Sequence, residues 1–332
     1  MTLSKSLYIR GLQCEKSLWL KKKKPEVLQA PDDSAQAVFD TGTSVGELAC
    51  ELFSGGERIK YTGDFGSQMA KTKELIEHDA KVIYEATFCF DGILVMVDIL
   101  RIGVDGLIIN EVKSSTSVKD VYIDDASIQY YVISSLGYKV SRVNIIHIDS
   151  TYTRGETLEL EKLFCVQDVT EQVKQKQRDI PQILNKFEEI LSQNSEPDID
   201  IGAHCSNPYA CDAREYCWHK QRAIPEYSVF DISRLRSDKK FELYKNGVVK
   251  FNDIKDLSKF NASQQIQIKS EISQEQIIDK DAIKEFLDTL RYPLYHLDFE
   301  TFQQAVSQFI GLRPSSRYLS SFQSTKMTAR EI

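Results

Sequence analysis

The sequence predicts a mixed α/β protein whose central sheet is flanked by helices. Residues 81–90 and 93–102 are rich in β-branched and aromatic side chains, which favour strands. Asp91-Gly92 between them is a strong signal for a hairpin turn. Residues 118–136 then follow a helical pattern. This alternation of strand and helix patterns is typical of an α/β core.

Three helical segments precede the predicted hairpin. They cover residues 4–20, 34–53 and 66–78. The second has apolar residues at a period close to 3.6, and Gly55 ends it soon after Phe53. The first part of the chain is therefore expected to be helical before the sheet begins.

The remaining elements complete the predicted core. A third strand follows Gly106 and ends at Lys113, and residues 140–148 form the strand after the helix. We expect a further strand over 157–165 and one long amphipathic helix over 167–192. The order is then β-β-β-α-β, followed by a shorter C-terminal part.

The composition limits where in the cell the protein is expected and which class of protein it belongs to. No stretch approaches the roughly 18–20 consecutive apolar residues of a membrane helix, and the N-terminus lacks the features of a signal peptide. We therefore predict a cytoplasmic protein with no membrane partner. The net charge of −7 argues against a protein that coats nucleic acid. The basic run Lys21–Lys24 is either a phosphate contact or a solvated loop.

Two acids and a lysine interrupt apolar strand sequence. Asp98 lies between Val97 and Ile99, and Glu111 and Lys113 end the third strand. Residues two apart in a strand face the same way, so Glu111 and Lys113 project together. If the strands pair, two carboxylates lie beside an ammonium, which suits a hard cation such as Mg²⁺. The alternative is a set of polar positions on a half-exposed sheet, although unpaired acids there are costly.

The order of these residues resembles a known nuclease superfamily. Asp98, then Glu111-Val112-Lys113, then a helix bearing Gln129 is similar to the PD-(D/E)XK nucleases, in particular their RecB-like branch. The resemblance implies a restriction-endonuclease-like core of a mixed sheet flanked by helices. It also implies that Asp98, Glu111 and the Val112 carbonyl bind Mg²⁺ or Mn²⁺, with Lys113 positioning the attacking water.

Other positions match that branch less closely. The family has Gly-x-x-x-His on the preceding helix, whereas this chain has Gly42 without the histidine. Glu47 is one step from the histidine position, so it is either a carboxylate ligand or an acid on the helix surface. The tyrosine that accompanies the glutamine is spaced differently, and we assign it to Tyr131. Glu85 in the first strand is a further candidate for the same face.

Four of the seven cysteines bracket the predicted core. Cys14 precedes it, and Cys205, Cys211 and Cys217 follow with five-residue gaps. The RecB-type iron–sulfur nucleases, which include the CRISPR-associated exonucleases and a bacterial helicase–nuclease, have one cysteine before the core and three after it. The resemblance implies that these four residues hold a [4Fe–4S] cluster.

Zinc is the alternative to iron–sulfur at this site. His204 or His219 would then replace one cysteine. Disulfides rarely persist in the cytoplasm, so clustered cysteines there more often bind metal. Soft thiolates suit either group, and the spacing alone does not choose between them.

A second acidic motif lies near the C-terminus. Apolar residues lead into Asp298-Phe299-Glu300, which resembles the first motif of DEDD exonucleases, enzymes with an RNase H-like fold. Uncharacterised bacterial proteins with both parts continue well beyond this motif. Only 32 residues follow Glu300, whereas a domain needs about 100. We therefore expect an incomplete, truncated RNase H-like segment that packs poorly, with Asp298 and Glu300 as non-functional remnants.

These observations predict three regions and one principal function. The regions are an iron–sulfur nuclease-like domain over 1–222, a helical connector over 223–285 and the start of a DEDD-like domain over 286–332. The predicted function is hydrolysis of phosphodiester bonds in single-stranded or free-ended DNA by a metal-dependent exonuclease. The resemblance suggests a helicase or CRISPR-type partner. The alternatives are a non-catalytic nucleic-acid-binding scaffold and a zinc-bound interaction module.

Overall fold

The computed structural model describes residues 2–327, and the chain is a mixed α/β protein. No helix in this range is both long enough and apolar enough to cross a membrane. The described chain divides into two compact units. The first comprises residues 2–26, 30–199 and 303–317, and the second comprises residues 27–29, 200–302 and 318–327.

A seven-stranded mixed sheet forms the centre of the first unit. Its strands are β1 (Leu3–Ser4), β2 (Glu57–Arg58), β3 (Val82–Phe90), β4 (Ile93–Gly103), β5 (Gly106–Lys113), β6 (Val140–Ile148) and β7 (Phe164–Asp168). They lie in the order β2-β3-β4-β5-β6-β7, and β1 also pairs with β4. The β3–β4, β4–β5 and β6–β7 pairs are antiparallel, whereas the other three are parallel. The predicted mixed central sheet is confirmed.

Helices flank this sheet. They are α1 (Lys5–Gln13), α2 (Glu15–Lys23), α3 (Asp33–Cys50), α4 (Phe65–Glu77), α5 (Asp120–Ser135), α6 (Leu160–Leu163), α7 (Thr170–Lys176) and α8 (Ile180–Ser192). On one face of the sheet, α1 and α5 contribute to the largest hydrophobic core. On the other face, Val45 and Ala49 of α3 pack in a cluster with Ile99 and Val112.

Three predicted elements differ from the structure. The helix predicted over 4–20 divides at Cys14, whose backbone is extended with φ −162°. The helix predicted over 167–192 is two helices, because Pro181 at the start of α8 has no N–H to continue α7. The strand predicted over 157–165 is mainly α6, in which Leu160 and Leu163 turn toward one core at helical spacing.

The second unit has its own hydrophobic core. Its regular elements are α9 (Ser237–Lys245), α10 (Ala262–Ser273), α11 (Lys280–Thr289) and a two-stranded sheet of β8 (Leu294–Gln303) and β9 (Arg317–Met327). Trp218 and Phe230 pack with ring centroids 4.5 Å apart, and Phe251 and Ile268 are buried in the same cluster. The polar segment predicted as a connector therefore supplies buried apolar side chains.

The second acidic motif lies on β8. Asp298 and Glu300 are both exposed, and Ser321 Oγ on β9 donates a hydrogen bond of 3.2 Å to Glu300. The segment predicted to begin the DEDD-like domain runs to residue 332, so its last five positions lie outside the described residues. The loss of function predicted for Asp298 and Glu300 stays a prediction.

Candidate active site

The site begins where β4 changes partner. The long strand β3 pairs with one edge of β4 from Val82 to Phe90, and β1 and β5 share the other edge of β4. β1 pairs with residues 93–94 and β5 pairs from Ile99 onward. Within the described chain, no ladder pair joins residues 95–98 to either strand on this edge. The result is a gap in the sheet, bordered by the end of β1 and the end of β5.

Asp98 lies at the edge of this gap. The β4–β5 register ends at Ile99 opposite Asn110, and one further step would place Asp98 opposite Glu111. Instead of a backbone pair, Asp98 Oδ2 accepts a hydrogen bond of 2.7 Å from the backbone N–H of Val112. A side chain has thus replaced a strand carbonyl as the acceptor, and β5 separates from β4 at this point.

The ladder between β3 and β4 is interrupted at Asp98 without a change of register. Glu85 in β3 has a left-handed backbone with φ 59°, and the register continues from Tyr84 opposite Ile99 to Ala86 opposite Val97. Regular alternation is broken here, since Val97 and Leu100 belong to the same core cluster although they are three positions apart. Left-handed non-glycine residues such as Glu85 are costly and are often found at functional sites.

Glu111 is the centre of the site. It is 2% exposed, and its Oε1 accepts from Lys113 Nζ at 2.6 Å and from Lys5 Nζ at 2.8 Å. Its Oε2 accepts from Gln129 Nε2 at 2.7 Å. Because β5 alternates, Glu111 and Lys113 share a face, as predicted from their spacing. α5 lies over that face and supplies Gln129.

Asp125 completes the charge network one turn before Gln129. Lys113 Nζ donates to its Oδ2 at 2.5 Å, and Lys5 Nζ lies 3.5 Å from its Oδ1. Sequence reasoning missed both Asp125 and Lys5. The four-residue spacing from Gln129 was an available signal for Asp125, because it places both on one helix face. Lys5 had no such signal, since it lies 106 residues from Glu111 in the chain.

Burial and charge shift the pKa values of this network in opposite directions. Burial by itself would raise the pKa of Glu111, but the ammonium groups of Lys113 and Lys5 hold it well below its usual range. Burial would lower the pKa of Lys113, but Glu111 and Asp125 raise it well above its usual range. Lys113 is therefore a permanent positive charge, and Glu111 a permanent negative charge, at neutral pH.

Asp98 and Asp125 behave differently. Burial, followed by the charge of Glu111, raises the pKa of Asp98 to about 7 from an ordinary value of 3.8. The same two causes raise the pKa of Asp125. The site thus contains more carboxyl groups than its two lysines can neutralise, which is an arrangement that favours an additional cation.

The donor atoms fit a hard divalent cation. All candidate ligands at the gap are oxygens, the ligand type that Mg²⁺ and Mn²⁺ prefer. Two buried oxygens, Asp125 Oδ1 and Gln129 Oε1, accept no hydrogen bond from any described residue. Among residues 2–327, however, no three His, Cys, Asp or Glu side chains are already arranged to hold a metal ion. The chemistry fits, whereas the geometry would have to rearrange around Glu111.

Three further predicted residues lie apart from Glu111 or at the margin of its network. Glu47 is exposed on α3, and α3 packs on the sheet face opposite Glu111. Tyr131 is two residues beyond Gln129 on α5, so it points away, and its ring contacts Phe90 at a centroid distance of 6.3 Å. Glu85 is partly buried, and burial raises its pKa against the opposing charges of Arg58 and Lys5.

The predicted cluster cysteines belong to both units. Cys14 lies between α1 and α2. Its N–H donates a hydrogen bond of 2.9 Å to the Arg10 carbonyl, and its own carbonyl accepts a backbone hydrogen bond from the first turn of α2. In the second unit Cys205 is buried, and Cys211 N–H bonds to its carbonyl at 2.9 Å, which closes the loop between them. Cys217 lies on a short π-helix, Glu215–Lys220. The soft sulfur donors fit an iron–sulfur or zinc site in chemistry.

Comparison with known proteins adds no assignment. No protein-family model matches the chain, and no curated protein matches it significantly.

Proposed function

We propose that this protein is a metal-dependent nuclease that hydrolyses phosphodiester bonds in DNA. One observation carries the proposal: Glu111, Lys113 and Gln129 are in direct contact at the gap in the sheet where Asp98 also lies. The resemblance to RecB-like PD-(D/E)XK nucleases involves these same residues. It supports a restriction-endonuclease-like core and a single-stranded or free-ended DNA substrate.

Each side chain has a role that follows from its contacts. Lys113 remains an ammonium at neutral pH, so it positions water and stabilises negative charge on the phosphate rather than removing a proton. Gln129 donates to Oε2 and thereby sets the orientation of the Glu111 carboxylate. Mg²⁺ or Mn²⁺ bound by Asp98, Glu111 and the Val112 carbonyl would polarise the phosphate and activate water.

The cofactor and partner assignments complete the proposal. Cys14, Cys205, Cys211 and Cys217 would hold a [4Fe–4S] cluster, with zinc as the alternative. The last three residues of α2 are Lys21, Lys22 and Lys23. Their side chains are exposed and offer positive charge to a DNA backbone. The proposal keeps the predicted cytoplasmic location and a helicase or CRISPR-type partner.

A second candidate function is a nucleic-acid-binding scaffold that does not cleave. The observation that favours it is the occupation of both Glu111 oxygens, Oε1 by two ammonium groups and Oε2 by an amide. In this scaffold the two lysines would permanently take the place of a metal ion. It would bind DNA ends without metal-dependent turnover.

Lys113→Ala tests the nuclease against the scaffold. Anaerobically purified protein is incubated with end-labelled single-stranded DNA and Mn²⁺. Lys119→Ala is the matched control, because Lys119 and Lys113 both lie over the ring of Tyr122 but Lys119 makes no contact with Glu111 among the described contacts. We expect cleavage by wild type and control, and a loss of at least about 100-fold in Lys113→Ala.

The other outcomes decide against specific parts of the proposal. Unchanged cleavage by Lys113→Ala would contradict the assignment of the active site to Lys113 and Glu111. Folded wild-type protein that binds the DNA without shortening it would establish the scaffold instead.

A further inference from the structure

Lys5 reaches the site because the two residues before it pair with β4 beside the gap. Leu3 and Ser4 form β1 and pair with Ile93 and Leu94, on the same edge of β4 that β5 uses farther along. Ser4 then caps α1, since its Oγ accepts from the N–H of Leu7 at 3.3 Å. Lys5 is the first residue of α1, so its side chain starts at the border of the gap.

The Lys5 ammonium occupies a position that matters for a metal ion. It lies 2.8 Å from Glu111 Oε1 and 3.5 Å from Asp125 Oδ1, between two carboxyl groups. Together with Lys113 it uses the acceptor capacity of Oε1, because a carboxylate oxygen offers about two lone-pair sites. A divalent cation at Glu111 must displace one ammonium or lie beside it against charge repulsion.

Lys5 is the more easily displaced of the two lysines. Lys113 is held by Glu111 at 2.6 Å and by Asp125 at 2.5 Å, and both contacts are hydrogen bonds. Lys5 has one such hydrogen bond to Glu111, and its second contact is 1 Å longer than the corresponding contact of Lys113. The two lysine side chains are about equally exposed, at 22% for Lys5 and 20% for Lys113, so the difference between them lies in their contacts.

We propose that Lys5 is an internal cation that competes with the divalent metal for Glu111 and so lowers the metal affinity of the site. The inference rests on the proposed function, because it needs a metal ion at Glu111. Lys5 acts here as a positioning residue: in the metal-free protein it neutralises the buried acid and keeps the gap ordered. Metal binding moves its ammonium away from Oε1.

Direct metal binding tests the competition. Mn²⁺ affinity of the full chain is measured at neutral pH by electron paramagnetic resonance of free Mn²⁺ and by calorimetry, with no DNA present. Lys5→Met keeps the apolar stem but removes the charge, and we expect its Kd for Mn²⁺ to fall at least about tenfold. Lys5→Arg keeps the charge, and its Kd should stay within about threefold of wild type.

A matched control separates local competition from net charge. Lys176→Met removes another lysine that contacts α5, through Asp124 Oδ1 at 2.7 Å, without touching Glu111 among the described contacts. Its Mn²⁺ affinity should equal that of wild type. Circular dichroism verifies folding, and Lys5→Gln serves if the methionine variant does not fold.

The outcomes distinguish this inference from the proposed function. Equal or weaker Mn²⁺ binding by Lys5→Met, with clear binding by wild type, would overturn the competition alone. Absence of Mn²⁺ binding by wild type and every variant would overturn the metal site and the competition together. Tighter binding by Lys176→Met as well as Lys5→Met would reduce the effect to net charge and also overturn it.

Discussion

Replacing Asp98 by asparagine should stabilise the metal-free protein at neutral pH. Asp98 is partly buried, lies beside Glu111, and has its pKa raised to about 7 by burial and by that neighbouring charge. Asparagine has nearly the same shape and can still accept the hydrogen bond that Val112 N–H donates at 2.7 Å. The substitution therefore removes a disfavoured charge while keeping the backbone contact.

The sign and size follow from proton linkage. In the unfolded chain Asp98 loses its proton above an ordinary pKa of 3.8, whereas in the folded chain it keeps the proton to about 7. Each pH unit between these values costs the folded state about 1.4 kcal/mol, so the full cost above pH 7 is at most about 4 kcal/mol. Below pH 4 both states are protonated and the cost vanishes. Asp98→Asn should recover this free energy only at higher pH.

Urea unfolding between about pH 4 and pH 8 measures the effect, in the presence of a chelator. The difference in unfolding free energy between Asp98→Asn and wild type should be near zero at pH 4 and grow to several kcal/mol at pH 8. Asp105→Asn makes the same chemical change on the exposed β4–β5 turn and should follow wild type. A destabilised Asp98→Asn at pH 8, or a gain independent of pH, would refute the reasoning.

Two further predictions test packing and the cysteines. Gly11→Ala adds a Cβ 2.5 Å from Cζ of buried Phe187 and should cost about 1–2 kcal/mol of unfolding free energy, because overpacking exceeds the gain in helix propensity. The Cβ added by Gly46→Ala in α3 meets nothing within 4 Å, so this control should raise the unfolding free energy by up to about 1 kcal/mol. Stabilisation by Gly11→Ala in the same urea experiment would contradict the packing argument. Cys205→Ser should abolish the iron content and brown absorbance expected of anaerobically purified protein, whereas the exposed Cys165→Ser should keep both. Stoichiometric zinc in a colourless wild-type protein would replace the iron–sulfur assignment.

The arrangement of charges at Glu111 is costly for the stability of the metal-free protein. Two lysines are bound to one buried carboxylate, and three further carboxyl groups lie within reach of their charges. Without a metal ion, burial and mutual repulsion raise the pKa values of Asp98 and Asp125. Sites with such opposed charges are costly to keep in a folded protein and are found where chemistry requires them.

The amino-acid sequence by itself determined the local features of this protein. The hairpin at Asp91-Gly92 and the shared face of Glu111 and Lys113 follow from turn chemistry and from the two-residue repeat of a strand. These features depend on neighbours within a few residues, so a linear pattern contains the information.

Only the tertiary structure decided which distant groups meet at Glu111. Lys5 enters the site because β1 occupies the part of the β4 edge that β5 has left, and no local pattern specifies that pairing. The left-handed Glu85 and the hydrogen bond between Asp98 and Val112 occur where the β3–β4 ladder is interrupted and the β4–β5 ladder ends. The physical reason is that strand pairing and the burial of charge depend on residues about a hundred positions apart. Such residues interact only when the chain is folded, so a local sequence pattern does not specify which of them meet.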